Sequence, residues 1–183
     1  MPQMLRADAE DNKERLLDAA RRLFADRGLI VTMRDVARAA DVGPATLYRR
    51  FPTKQDLIDE AFADELHACR AIVSEGCADP DPWRGLCDVL RRVGELNARN
   101  QGFTDAVLSS RPESLGSHRA DMLRELADLC GRAQRAGRLR AGVGIDDLVL
   151  VLMAGRGLSG AMADIRMARA RRFASLAIEA FRA

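Results

Sequence analysis

The chain has 183 residues, enough to bury a sizeable core as one long or two short domains. Its 29 basic and 27 acidic residues leave a net charge of +2, so overall charge gives no argument for a polyanionic partner. Cys69, Cys77, Cys87 and Cys130 lack CxxC spacing, which excludes a zinc ribbon and a disulfide framework, and no apolar run is long enough for a leader or a membrane span. These features predict a reduced, cytoplasmic protein with no membrane partner.

Residues 1 to 9 read as a frayed lead-in. From about Asn12, Leu16, Leu17, Ala20, Leu23 and Phe24 fall in helical register, and Gly28 stands where a helix C-cap is expected. This helix should brace the segment beyond Gly28, with Phe24 packing near Leu47 and Phe51. Arg15 and Arg22 lie on its outer face, either solvated or beside a polyanion.

The densest run of signals is TMRDVARAADVGPATLYRRFPTKQDL, residues 32 to 57. Thr32 with Asp35 three residues on forms a capping box, and a short helix follows it. Val36, Ala37 and Ala40 share one face of that helix, while Arg34 and Arg38 share another. Asp41 and Gly43 bracket Val42 in a tight turn, both being residue types that tolerate the left-handed conformation. Pro44 suits the first position of a second helix of about two turns. Leu47 and Phe51 should face inward, leaving Thr46, Tyr48, Arg49 and Arg50 on or near the surface. Thr53 with Asp56 repeats the capping signature, so Lys54 sits in the first turn of a third helix, against the dipole preference and therefore expected to meet an anion.

Two short helices joined by a tight turn, with small and basic residues exposed on the second, make a helix-turn-helix. An ordinary helical hairpin is the competing reading, but it does not require an exposed Thr, Tyr and Arg pair. Residues 32 to 54 carry Arg34, Arg38, Arg49, Arg50 and Lys54 against Asp35 and Asp41, so this surface is basic although the protein is not.

Thr32, Arg34, Val36, Ala37, Ala40 and Val42, then TLYRRF from Thr46 to Phe51 with Lys54 and Leu57, resemble the TetR family of bacterial transcriptional regulators. The resemblance is detailed over roughly residues 10 to 60. It departs at Asp41, where the family usually has glycine, and at Gly43, where a serine usually caps the reading helix. It implies that Thr32, Tyr48 and Lys54 hold phosphates, and that Arg34, Pro44, Ala45, Thr46 and Arg49 lie against base edges in the major groove. The residue types suit those roles: Arg34 can donate bidentately to guanine, the methyls of Ala45 and Thr46 fit a thymine methyl, and Tyr48 offers a rigid hydroxyl. Arg50 suits either a phosphate or an intramolecular partner.

The helix starting at Lys54 is predicted to run unbroken through Ile58, Phe62, Leu66 and Cys69 to about Cys77, carrying movement between layers. The ADPDP loop, 78 to 82, ends it. Helical register then predicts segments at 83 to 99, 102 to 108, 116 to 136, 145 to 162 and 168 to 182. No useful strand alternation occurs, so the fold class is all-α with about nine helices: an N-terminal helix-turn-helix domain, 1–55, and a C-terminal helical ligand-binding and dimerisation domain, 56–183.

The 145 to 162 segment is apolar on more than one face and contains Ala154, Gly155, Gly157, Ser159, Gly160 and Ala161. Interior glycines cost about 1 kcal/mol each relative to alanine. Close approach of another helix explains them, either within a protomer or, as we read it, across a two-fold with the last helix. A homodimer also lets a two-turn reading helix address two half-sites. A pocket, if present, is expected among the middle helices, with Trp83, Leu86, Leu90, Phe103, Val107, Met122, Leu126, Met153 and Arg156 as candidate wall, although for each of them a place in the core is the favoured reading. Aromatic content of 4% favours a modest aliphatic cavity over a stacking cage.

His67 and His118 lack metal spacing, Ser117 lacks a nucleophile elbow, and no glycine-rich phosphate loop is present. The expectation is therefore no enzyme, no metal and no cofactor. It is a regulator that binds a near-palindromic double-stranded DNA operator as a homodimer, acts as a repressor, and is released by an unknown small-molecule effector. The alternative trigger is oxidation of a cysteine, with Arg70 and Arg132 close in sequence to two of the thiols.

Overall fold

The computed structural model describes residues 2–109, 115–155 and 162–183. They form ten α-helices: α1 Pro2–Arg27, α2 Met33–Ala39, α3 Pro44–Arg50, α4 Lys54–Ala61, α5 Ala63–Ala78, α6 Pro82–Arg99, α7 Gln101–Ser109, α8 Leu115–Arg135, α9 Ile145–Ala154 and α10 Ala163–Phe181. A 3-10 turn spans Gly28–Ile30, and no strand occurs among the described residues. The all-α expectation holds. Residues 2 to 9 are helical rather than a frayed lead-in, consistent with Pro2 at the first helical position and no breaker before Gly28. The 156–161 part of the segment expected at 145 to 162, including Gly157, Ser159, Gly160 and Ala161, lies outside the described residues.

The helix starts follow their sequence signals. Thr32 Oγ accepts from the Asp35 amide at 3.2 Å while Asp35 accepts from the Thr32 amide at 3.0 Å. Thr53 and Asp56 repeat the pattern at 3.1 and 2.8 Å. Asp81 accepts from the amides of Trp83 and Arg84, and Pro82 opens α6 behind it. Gly28 and Gly137 end α1 and α8 at φ +64 and +67, a conformation open to residues without a Cβ.

The long helix expected from Lys54 to about Cys77 is two helices. They meet at Phe62, whose φ of −116 and ψ of 17 leave the helical region. Arg21 of α1 donates from Nε to the Ala61 carbonyl at 2.8 Å, and the backbone ladder resumes with the Leu66 amide on the Phe62 carbonyl at 3.0 Å. A side chain inserted into the ladder bends a helix without proline or glycine. The bend also lets the Phe62 ring turn inward, 6.2 Å from Phe24 of α1 and 6.1 Å from Phe103 of α7. The three rings form one continuous apolar contact from the first helix to the seventh.

Around this seam the core is continuous. α1 packs on α2, α4 and α7, whereas α6 packs on α5, α8 and α10. Phe24, Leu47 and Phe51 are all buried in it, as expected. At Gly102 the backbone of α7 closes on α1: a Cβ there would stand 3.0 Å from the Phe24 backbone carbon and from the Phe62 ring. α5 and α6 approach more closely still at Gly76 and Gly85.

Candidate nucleic-acid interface

The helix-turn-helix is built on buried apolar residues. Val36, Ala37 and Ala40 of α2 face the core, Val42 anchors the turn, and Leu47 of α3 is fully buried at 0% exposure. With Leu47 and Phe51 holding one side of α3, the opposite side faces solvent: Pro44, Ala45, Arg49 and Arg50 are exposed, and Tyr48 is 47% exposed. Thr46 is half-buried beside them. On α2 the outward residues are Arg34 and Arg38, with Arg38 3.9 Å from Asp35. Arg34, Pro44, Ala45, Tyr48 and Arg49, singled out from the sequence, thus lie on the solvent side of two helices that pack against each other.

The turn takes its shape from Asp41, at φ +53. Gly43, expected to share that conformation, has an ordinary φ of −59 and serves as the N-cap of α3 with no side-chain bond to the helix start. Asp41 is steadied from α1, since Arg15 donates to its carbonyl at 3.3 Å and stands 3.5 Å from its carboxylate. Arg15 therefore has an intramolecular task, fixing the turn to the bracing helix.

Two phosphate candidates have further partners within the chain. Thr32 Oγ also donates to Asp35 Oδ2 at 2.6 Å, so its hydroxyl proton serves the cap. These bonds from Thr32, side chain first, hold the Asp35 carboxyl below its ordinary value of 3.8. The Lys54 ammonium, expected to meet an anion, donates within the chain to the Leu29 carbonyl in the 3-10 turn. Burial lowers its pKa. The contact ties the start of α4 to the connection between α1 and α2. Arg50 has an intramolecular partner: it sits 3.8 Å from Glu60, which also pairs with Lys13 at 2.7 Å.

Behind the seam lies a cavity of about 100 Å³ among α5 to α9. Phe103, Met122, Leu126 and Met153, expected from the sequence, line it. Trp83, Leu86 and Leu90 do not; they are buried in the core of α6, away from this wall. Val107 belongs to α7, but its side chain, like the whole of Arg156, lies outside the described residues. Cys69, Val73, Val93, Leu123, Val149 and Leu152 complete the apolar wall, and Asn97, Thr104 and Arg119 supply its polar groups. Those three carry no sequence signal, because which side of α6, α7 and α8 faces the cavity is set by how the helices cross.

Burial pushes all four thiols up, Cys69 and Cys130 to about 11, so they stay protonated at neutral pH. Among the described residues no group of three or more His, Cys, Asp or Glu could hold a metal ion. No helix there is long and apolar enough to cross a membrane.

The profile of bacterial regulatory proteins of the tetR family matches residues 16–61, the stretch that carries α2, the turn and α3. That of the transcriptional regulator SbtR-like C-terminal domain matches residues 81–183, more than half the chain. The chain belongs to the TetR family. Among curated TetR-type relatives, it is 44% identical over 66 residues to the HTH-type transcriptional repressor KstR2 of Rhodococcus jostii, covering 33% of this chain and 32% of that one. It is 27% identical over 162 residues to the HTH-type transcriptional regulator TtgR of Pseudomonas putida, covering 77% and 76%. The match thus spans about a third of KstR2 and most of TtgR. Among solved TetR structures, SCO0520 of Streptomyces coelicolor is 29% identical with a TM-score of 0.56, over 93% of this chain and 98% of that one. KstR2 of Mycobacterium tuberculosis shares the fold at a TM-score of 0.69 and 17% identity, over 93% and 95%. These TetR relatives are regulators and not enzymes.

Proposed function

We propose that the chain is a ligand-released repressor that acts in the cytoplasm and binds a near-palindromic DNA operator as a homodimer. Residues 1–55 are its reading unit and 56–183 its ligand-binding and dimerisation unit. The observation that carries the reading is the seating of α3: Leu47 anchors it from behind while Pro44, Ala45, Tyr48 and Arg49 face outward. A helix so held can enter a major groove without unpacking. Arg34, Pro44, Ala45, Thr46 and Arg49 then read base edges, and Tyr48 takes a phosphate. Thr32 and Lys54 reach phosphates with the hydrogen-bonding capacity left over from Asp35 and Leu29.

The dimer is supported by exposed apolar side chains on α9 and α10. Leu150 and Met153 of α9, Met162 at the N-cap of α10, and Ile165 and Leu176 on α10 are large hydrophobic residues left in solvent, Leu150 by 64% and Met162 by 75%. Large apolar side chains exposed on both helices suit an interaction surface. A ligand acts by binding one arrangement of the two reading units better than another, with the cavity beside Phe103 as its site.

The test is a mobility shift on DNA from the region upstream of the coding sequence, at fixed physiological salt with nonspecific competitor. Tyr48→Phe should weaken binding to every sequence. Arg34→Ala should cost about 1–3 kcal/mol and relax preference at one position in each half-site. A discrete complex unaffected by either substitution would overturn the assignment.

A further inference from the structure

Arg50 closes α3 one turn beyond Thr46, and with Arg49 it makes the basic end of the reading helix. Its guanidinium lies 3.8 Å from the Glu60 carboxylate on α4, and both side chains are open to solvent. Glu60 has a second and closer cation, Lys13 of α1, at 2.7 Å. Lys13 is the less exposed of the two cations and also stands 3.4 Å from Glu10. One carboxylate is therefore shared by cations from two helices, on unequal terms. The bond to Glu60 is the main cause that raises the Lys13 pKa, so this half of the cluster stays ionised at neutral pH. The half that involves Arg50 is looser, since 3.8 Å is beyond hydrogen-bond distance and an exposed pair of that kind is worth little in water.

Resting on the operator-binding reading, we propose that Glu60 is an affinity-setting residue. It holds Arg50 in the free protein and yields it to a backbone phosphate when DNA arrives, while Lys13 keeps the Glu60 charge covered. Each step of the exchange follows from the cluster. Arg50 leaves Glu60 at small cost, because the pair is exposed and long. Glu60 is not stranded when Arg50 leaves, because the Lys13 ammonium remains on it at 2.7 Å. A phosphate offers the guanidinium two parallel charge-assisted bonds, more than Glu60 gives it at 3.8 Å. Rotation of the Arg50 side chain is enough, and α3 stays seated on buried Leu47 and Phe51. The exchange involves no base edge, so Glu60 lowers binding to every sequence alike and leaves the choice of sequence to the outward residues of α2 and α3. Of the two roles that suited Arg50, a phosphate contact and an intramolecular pair, it fills both in turn.

The experiment uses the full chain and a fluorescent duplex of arbitrary sequence, since phosphates are the same in any DNA, with anisotropy titrations from about 50 to about 200 mM salt. Glu60→Gln keeps the side-chain shape and removes the charge; it should bind up to about fivefold tighter for each protomer that touches DNA, the range of an exposed pair no longer broken. Its salt slope should stay as it is, because the same phosphates are met in the complex. Arg50→Ala should weaken binding and make the slope of log K against log salt shallower by about 0.9 for each such protomer, whereas Arg50→Lys should keep the slope. With both Glu60→Gln and Arg50→Ala in place, the gain from Glu60→Gln should fall away. Any long-range effect of the lost carboxylate is present in both backgrounds and cancels in that cycle. Melting curves verify that each variant is folded, and Tyr48→Phe is titrated alongside as the test of the operator-binding reading itself.

Weaker or unchanged binding by Glu60→Gln would mean that Glu60 only braces α3, and would overturn the proposal. So would a gain that persists in full with Arg50→Ala, or an Arg50→Ala slope equal to that of the unaltered chain. In each of these cases a loss of affinity in Tyr48→Phe leaves the operator-binding reading standing. No binding to the duplex at the lowest salt would overturn that reading and this proposal together.

Discussion

Gly85 and Gly94 lie nine residues apart on α6, and alanine at the two positions should have opposite effects. A Cβ on Gly85 would stand 2.1 Å from the Gly76 carbonyl oxygen and 3.1 Å from the Asp79 Cβ. An ordinary carbon to oxygen contact is about 3.3 Å, so α5 and α6 would have to part by about 1 Å. The obstructing atom is backbone and cannot rotate away. Parting the helices loosens buried Val89, whose side chain faces Gly76 across that contact, and a gap of this size forfeits a quarter to a half of the dispersion energy of each facing pair. Overpacking costs about 1–3 kcal/mol, and we take the upper end because nothing can repack. Alanine returns about 1 kcal/mol in helix propensity. Gly85→Ala should therefore destabilise by about 2 kcal/mol and lower Tm by about 4–8 °C. At Gly94 nothing lies within 4 Å of the added methyl, so only the propensity gain remains and Gly94→Ala should raise stability by about 1 kcal/mol. Chemical denaturation at a fixed protomer concentration measures both, that concentration being held because dimerisation would shift the midpoint. A stabilising Gly85→Ala would refute the close-crossing argument, and equal effects at the two sites would reduce it to propensity alone.

The uncapped start of α3 predicts that Gly43→Ser adds a few tenths of a kcal/mol, since a Cβ there meets only Thr46 Oγ at 4.0 Å and a serine hydroxyl can accept from the helix start. Its operator affinity, read by mobility shift, should be unchanged. Arg21→Ala should cost about 1 kcal/mol by thermal melting and slow amide exchange at Glu65, because the freed Ala61 carbonyl becomes available to the continuing helix. Faster exchange there would contradict the account of the bend. The carboxyls of Asp35 and Asp79 are held below 3.8, by Thr32 and by Arg84 respectively. The unfolded chain binds protons there more readily, so the stability both contribute is present above that value and lost as pH falls through the lower folded values. Denaturation midpoints measured from about pH 5 to about pH 3 should fall, and Asp35→Asn should flatten part of the slope.

Local information was enough for much of the reading unit. Thr32 with Asp35 and Thr53 with Asp56 specify their helix starts by hydrogen bonds that close within three residues. Leu47 and Phe51 are sorted from Tyr48 and Arg49 by helical period alone. The split at Phe62 was illegible because its cause is Arg21, forty residues away in sequence, and helical periodicity across 54 to 77 contains no trace of it. The intramolecular partner of Lys54 is illegible for a similar reason: the 3-10 turn, twenty-five residues earlier in the chain, folds back to offer the Leu29 carbonyl. Periodicity marked Leu86 and Leu126 equally as inward, yet only the crossing of α6 and α8 decides which one faces packed core and which faces open space. Thr104 and Arg119 acquire their place by the same crossing. Caps, turns and amphipathic faces act within about four residues and are written in order along the chain, whereas a cavity is bounded by residues from several helices whose relative placement is settled only when the whole core packs.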